Sequence, residues 1–204
     1  MVWFGGLTGV QARLQKKGAL VIAQREVDAN FRSVFIANKK SNLPLIKTIS
    51  DLRLLKGKRL TFGSESSTSG RLMPQFFLEK AGLSIKDFKG KQSGFSGSHD
   101  STIRLVESGA YEVGALNELV WLSHIKNSKV NLNKVDVIWR TPTYPDYHWL
   151  AQGDIDDRFG KGFTLKLKKV ILGLNRDNEN QKKILDLFSA KRFISASNEN
   201  YKSI

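Results

Sequence analysis

Arg59-Leu60-Thr61-Phe62-Gly63-Ser64-Glu65-Ser66-Ser67-Thr68-Ser69-Gly70 opens as an apolar, strand-like run and then turns into glycine and hydroxyl side chains. From Ser69 the apolar residues recur at helical spacing to residue 81, and Gly82 supplies the stop. The same unit of strand, small polar turn and helix repeats downstream. Residues 91–95 read as a strand, Ser96-Gly97-Ser98-His99-Asp100 as its turn, and residues 101–108 as a helix halted by Gly109. A third strand over 111–116, a helix over 118–127 and a fourth strand over 135–139 close the series. Strands alternating with helices predict an α/β fold with a mostly parallel sheet covered by helices.

Working outward, Ser33-Val34-Phe35-Ile36-Ala37 reads as a buried strand ahead of the block. Behind it, Thr141-Pro142-Thr143-Tyr144-Pro145-Asp146-Tyr147 is a two-proline loop leading to the extended run His148-Trp149-Leu150-Ala151. Helices near 160–174 and 178–189 and a polar tail follow. The expected division is residues 1–37 as one lobe, 38–140 as a complete α/β lobe, and 141–204 as a return to the first.

The chain of 204 residues carries a formal charge of +14, which raises a nucleic-acid reading. The excess is spread, however: 7 basic and 2 acidic residues lie in 1–40, 15 and 9 in 41–140, and 11 and 8 in 141–204. No nucleic-acid partner is expected from such a distribution. With no cysteine, disulfides and thiolate metal sites are excluded. No apolar run approaches a membrane span, and Met1-Val2-Trp3-Phe4-Gly5-Gly6 lacks the basic start and apolar core of a signal peptide.

In open α/β sheets ligands bind beyond the carboxyl ends of strands, where helix N-termini point. Two adjacent turns rich in glycine and hydroxyls, at 63–70 and 96–100, are therefore candidate oxyanion sites, with backbone N–H and O–H groups as donors. Ser, Thr and Asp ahead of helices are equally ordinary N-caps, and both readings stand. Of the three histidines, His99 opens a helix inside such a turn and can donate to a ligand. His124 has no partner at ligand spacing and reads as a surface or packing residue, and His148 reads as packing at a lobe boundary. No metal cluster, Ser-His-Asp order, phosphate loop or dinucleotide fingerprint is present, so no catalysis, metal or cofactor is expected.

These residues carry a resemblance. Phe62-Gly63-Ser64, Ser67-Thr68-Ser69-Gly70, Gly94-Phe95-Ser96-Gly97-Ser98-His99-Asp100, Gly114-Ala115-Leu116-Asn117 and Val137-Ile138-Trp139 with Tyr144-Pro145-Asp146-Tyr147 occur in order. The chain resembles the phosphate/phosphite/phosphonate-binding family of ABC-transporter periplasmic proteins over nearly its whole length. Arg71-Leu72-Met73-Pro74 and Ser195-Ala196-Ser197-Asn198 look most like the branch labelled selenate-binding, whereas Ser98-His99-Asp100 looks more like the phosphonate and phosphite branch.

The resemblance implies a type II periplasmic-binding-protein-like fold that grips a small oxyanion between two lobes without catalysis. It implies Ser67, Thr68, Ser69 and His99 as donors to the anion and Asp146 as a pocket-edge acid. Asp100 is expected to accept a proton from a ligand such as hydrogen phosphite. Gly9, standing where many relatives carry an aromatic residue lining the pocket, implies a smaller or differently shaped ligand. Expected partners are an ABC permease and its ATPase, with membrane contact only through the permease, on a periplasmic monomer. Relatives begin well before the Trp3-Phe4-Gly5-Gly6 segment, so the first lobe is expected to be incomplete. The alternative is a cytosolic ligand-sensing effector module of the same fold.

Overall fold

The computed structural model describes residues 1–204 as two compact units, Arg32–Pro142 and a second made of Met1–Phe31 with Thr143–Ile204. The cuts fall after Phe31 and Pro142. The run Ser33-Val34-Phe35-Ile36-Ala37, expected to end the first lobe at residue 37, belongs instead to the middle unit.

In that unit, β3 (Ser33–Asn38) is buried at all six positions. With β4 (Leu60–Phe62), β5 (Gly94–Phe95), β6 (Val113–Asn117) and β7 (Val135–Arg140) it forms a sheet of order β5-β4-β6-β3-β7. Strand β4 runs parallel to β5 and β6, but β3 is antiparallel to both its neighbours, β6 and β7. The helical crossovers do keep β4 to β7 pointing one way. A single reversed strand wedged among them makes the sheet mixed, which corrects the expectation of a mostly parallel one.

The helices α2 (Met73–Lys80), α3 (His99–Glu107) and α4 (Glu118–Lys126) follow β4, β5 and β6. A wider π-type turn over Thr68–Leu72 precedes α2, closed by Leu72 N donating to Ser67 O at 3.0 Å. One face of the sheet packs Val34, Ile36, Leu116 and Val135 against Ile103, Val106 and Trp121. Aromatic contacts join Phe35, Phe77 and Trp139. The expected strand over 91–95 shrinks to two residues. Gly90 and Lys91 both take positive φ, and Lys89–Lys91 curls into a 3₁₀ turn.

The other unit holds β1 (Val2–Phe4), β2 (Leu20–Arg25), β8 (His148–Ala151) and β9 (Phe193–Ser195) in the order β1-β8-β2-β9, every pair antiparallel. Here too the parallel expectation fails. Helix α1 (Gly6–Gln15) starts within the glycine-rich stretch Gly5-Gly6-Leu7-Thr8-Gly9. The helices α5 (Ile155–Phe159), α6 (Phe163–Leu172) and α7 (Glu179–Leu187) complete it. Ile22, Ala23, Ala151, Ile155, Ile171, Leu185 and Phe193 form its main core. No helix of the chain is long and apolar enough to cross a membrane.

Candidate anion-binding site

The two polar turns of the middle unit are joined by their backbones. Ser96 N donates to Phe62 O at 3.0 Å and Gly97 N to Gly63 O at 3.2 Å, which extends the β4–β5 pairing past the strand ends. Gly63 N donates in turn to Gly70 O at 2.8 Å, folding the first turn back over β4. A side-chain carbon built on Gly70 would lie 3.1 Å from His99 Cε1, and one on Gly63 would lie 3.7 Å from His99 Nδ1. The His99 ring therefore sits against both glycines; a side chain at Gly70 would press on the ring, and one at Gly63 would press on the Gly70 backbone, 3.3 Å away, so the small residues let the start of α3 approach the start of the Ser67 helix. The sequence-predicted residues Ser67, Thr68, Ser69 and His99 are brought together at two converging helix starts.

Each has its own support. Ser67 is an N-cap, its Oγ accepting from Gly70 N at 2.8 Å, and Ser98 caps α3 by accepting from Ser101 N at 3.1 Å. The capping reading holds for both. For Ser67 it does not displace the ligand reading, because a hydroxyl that accepts from a backbone N–H retains its own proton to donate, whereas the Ser98 hydroxyl also donates to Ser101 Oγ at 2.9 Å. Thr68 and Ser69 are buried, and the Ser69 carbonyl accepts from Ser33 Oγ at 2.7 Å, which ties the π-type turn to the central strand. His99 Nδ1 accepts from Asn117 N at 3.4 Å. That leaves the ring proton on Nε2 as a donor. Burial pushes the His99 pKa down, against a smaller upward pull from Asp100, so the imidazole is neutral at physiological pH. The arrangement offers hydrogen-bond donors and helix-end dipoles to an anion without a fixed counter-charge.

Asp100 lies next to His99 but outside this cluster. Its carboxylate pairs with His124 Nε2 at 2.9 Å and is 57 % exposed, so the pocket role expected of it is withdrawn. His124 thereby gains the partner that its sequence neighbours do not supply. Its Nδ1 faces Val120 O at 3.0 Å.

Asp146 belongs to the other unit. It is buried, its backbone N donates to Asp28 O at 3.0 Å, and its carboxylate accepts from Gly6 N at 2.8 Å, where an acid complements the N-terminus of α1. Around it lies a polar cluster that sequence reasoning missed. Arg25 makes two bonds to Asp28, of 2.6 and 2.7 Å, and its guanidinium stands over the rings of Trp3 and Tyr147. Tyr201 donates to Gln24 Oε1 at 2.5 Å. His148 is fully buried within this unit, its Nδ1 is 3.1 Å from Asp146 O, and its ring packs on Tyr201 at 4.1 Å. A side-chain carbon on Gly9 would fall 2.2 Å from His148 Nε2. Gly9 thus makes room for an imidazole, and the expectation that it reports on ligand shape is replaced by a packing cause.

Burial pushes the His148 pKa down from 6.5 to about 4. The folded chain therefore refuses a proton that the unfolded chain takes up. His148 contributes its full stability above about pH 6.5, and that contribution drains away as the pH falls toward 4, about 2 kcal/mol of it between pH 7.5 and 5. Urea midpoints at those two pH values should move apart less in His148→Gln than in the wild type. Equal movement in both would reject the assignment.

No group of three or more His, Asp or Glu side chains is placed to hold a metal ion. The model of the family described as "ABC transporter, phosphonate, periplasmic substrate-binding protein" matches residues 1–201. A probable ABC transporter phosphite binding protein, PhnD1 of Prochlorococcus marinus strain MIT 9301, is 56 % identical over all 204 residues, which span 69 % of its length. A solved structure of PhnD1 from that strain with methylphosphonate superposes with a TM-score of 0.92 at 56 % identity, over 99 % of this chain and 74 % of that one. A binding-protein component of an ABC phosphonate transporter from Pseudomonas aeruginosa, 22 % identical, shares the fold with a TM-score of 0.71 over 98 % and 64 % of the two chains. These matches do not support the selenate branch suggested by Arg71-Leu72-Met73-Pro74. In the structure that segment forms the end of the π-type turn and the first residues of α2. The chain is a non-catalytic protein of the phosphonate family of ABC-transporter periplasmic substrate-binding proteins.

Proposed function

We propose that this chain captures phosphite or a small phosphonate such as methylphosphonate in the periplasm and hands it to an ABC permease driven by its ATPase. One observation carries the reading: the start of the Ser67 helix and the start of α3 meet where His99 lies against Gly63 and Gly70, which sets the His99 ring beside the turn that carries Ser67, Thr68 and Ser69. Ser67, Thr68, Ser69 and His99 are the proposed donors. Asp146 is the proposed acid, and with its carboxylate already holding the Gly6 N–H its part is to set the start of α1. PhnD1, named a probable phosphite binding protein and solved in complex with methylphosphonate, is 56 % identical to this chain and supports the choice of a tetrahedral phosphorus oxyanion.

The magnitudes are compatible with useful affinity. A hydrogen bond to a charged partner is worth about 1.5–3 kcal/mol, and a micromolar complex needs about 8 kcal/mol net. Calorimetric titration with phosphite, methylphosphonate, phosphate, sulfate and selenate should show selective binding of the first two. His99→Ala should weaken it by about 10- to 100-fold, the loss of one such bond, with the far-UV spectrum unchanged. Equal affinity for all five anions, or an unaltered affinity in His99→Ala, would sink the reading.

A further inference from the structure

His124 on α4 faces an acceptor with each of its ring nitrogens. Nε2 lies 2.9 Å from the Asp100 carboxylate, and Nδ1 lies 3.0 Å from the carbonyl of Val120, one turn back on its own helix. A neutral imidazole has a single N–H and makes one of these bonds, whereas the imidazolium makes both. Asp100 is the charged group that faces the ring from α3. The neighbouring charges are turned elsewhere, Arg104 of α3 to Ser101 Oγ and Glu118 of α4 to Arg140. Lys129, beyond the end of α4, meets His124 through its backbone, its N donating to His124 O at 2.8 Å.

The pair stands at the helix start assigned to the anion. Asp100 follows His99 directly in the first turn of α3. Its negative charge there occupies the favourable end of the helix dipole and opposes an anion bound at the same end. The field of Asp100 reaches His99, whose pKa it pulls up against the larger effect of burial. Helix α4 also holds α3 at a second point, because Asn117, its N-cap, gives its backbone N–H to His99 Nδ1 at 3.4 Å. We infer that His124 is a charge-compensating residue of the anion site: bonded as an imidazolium to Asp100 and Val120 O, it offsets the carboxylate beside His99, and on losing its proton it lets the anion be held less tightly. The inference rests on the oxyanion reading above. The action of His124 on the ligand runs through Asp100, and it weakens capture as the pH rises through the histidine range.

The test is calorimetric titration of the full chain with methylphosphonate at about pH 5.5 and about pH 8.5 in low salt. Each variant is compared with the wild type at the same pH, so that the ligand's own ionisation drops out. His124→Gln keeps a donor for Asp100 but carries no charge. It should bind about two- to fivefold more weakly than the wild type at the lower pH and equally well at the higher. His124→Lys, charged at both, should bind more tightly than the wild type at the higher pH. Asp100→Asn with His124→Gln should regain wild-type affinity at the lower pH, since no carboxylate is left to offset. A loss in His124→Gln of equal size at both pH values would make its part merely structural and overturn the inference. So would unchanged affinity of His124→Gln at the lower pH, or a double variant no better than His124→Gln alone. Failure of the wild type to bind methylphosphonate or phosphite at either pH strikes the functional reading instead, and the wild-type titration registers that separately.

Discussion

Asp28→Ala should cost about 3–5 kcal/mol of folding stability, because it strands the Arg25 guanidinium in a buried site without its anion. Asp28 is 0 % exposed and both its carboxylate oxygens are held by Arg25. The Arg25 head is enclosed by the Trp3 and Tyr147 rings, and its remaining bond goes to Phe188 O at 2.8 Å. Water has little access to replace the missing partner, so the full desolvation penalty of the cation is exposed by the mutation.

The same pair should contribute little net stability, and the two statements do not conflict. Burial pushes the Asp28 pKa up, while the attraction of Asp28 lifts that of Arg25 against its own burial, so the cost of desolvating two ions offsets much of what their pairing contributes. Replacing both residues by apolar ones of similar size, Arg25→Met with Asp28→Leu, should therefore return most of what Asp28→Ala loses. Urea unfolding of the wild type, the single variant and the double variant gives the comparison. A loss below about 1 kcal/mol for Asp28→Ala would show that Arg25 finds another partner or water, and that the cluster is not closed.

What could be read from residues alone follows a physical line. The strands β4, β6 and β7 and the helices behind them announce themselves through local periodicity, and the turns of Ser67 and His99 lie between them as contiguous motifs. Strand β3 shows its burial in sequence but not its direction, since the apolar run Val34-Phe35-Ile36-Ala37 looks alike either way round. Strand β2 ends in Gln24 and Arg25, which are buried through Tyr201 and Asp28, so its polar end masks a core strand. The bond from Gly6 N to the Asp146 carboxylate joins residues 140 apart, and no local pattern encodes such a pair. Asp100 misled for the same reason. Its true partner, His124, comes from the following helix.

Helix α1 is the sharpest case, and it carries the second large effect. Two glycines among its first four residues argue against a helix on propensity, and on propensity alone Gly9→Ala should stabilise it by about 1 kcal/mol. The structure demands the opposite sign. The new carbon would sit 2.2 Å from His148 Nε2, 2.3 Å from Cε1 and 3.1 Å from Phe4 Cβ. The imidazole cannot easily retreat, because Asp146 O holds its Nδ1 and the Tyr201 ring covers its face. Overpacking against a pinned ring should cost about 2–3 kcal/mol net. Shrinking the obstacle removes the cause, so in Gly9→Ala with His148→Ala the two losses should fall short of additivity by about 1.5 kcal/mol or more. The loss of stability between pH 7.5 and 5 should shrink in the double variant as well, since the titrating ring is gone. If Gly9→Ala alone is as stable as the wild type, the ring is not pinned, and the packing cause assigned to Gly9 falls with it.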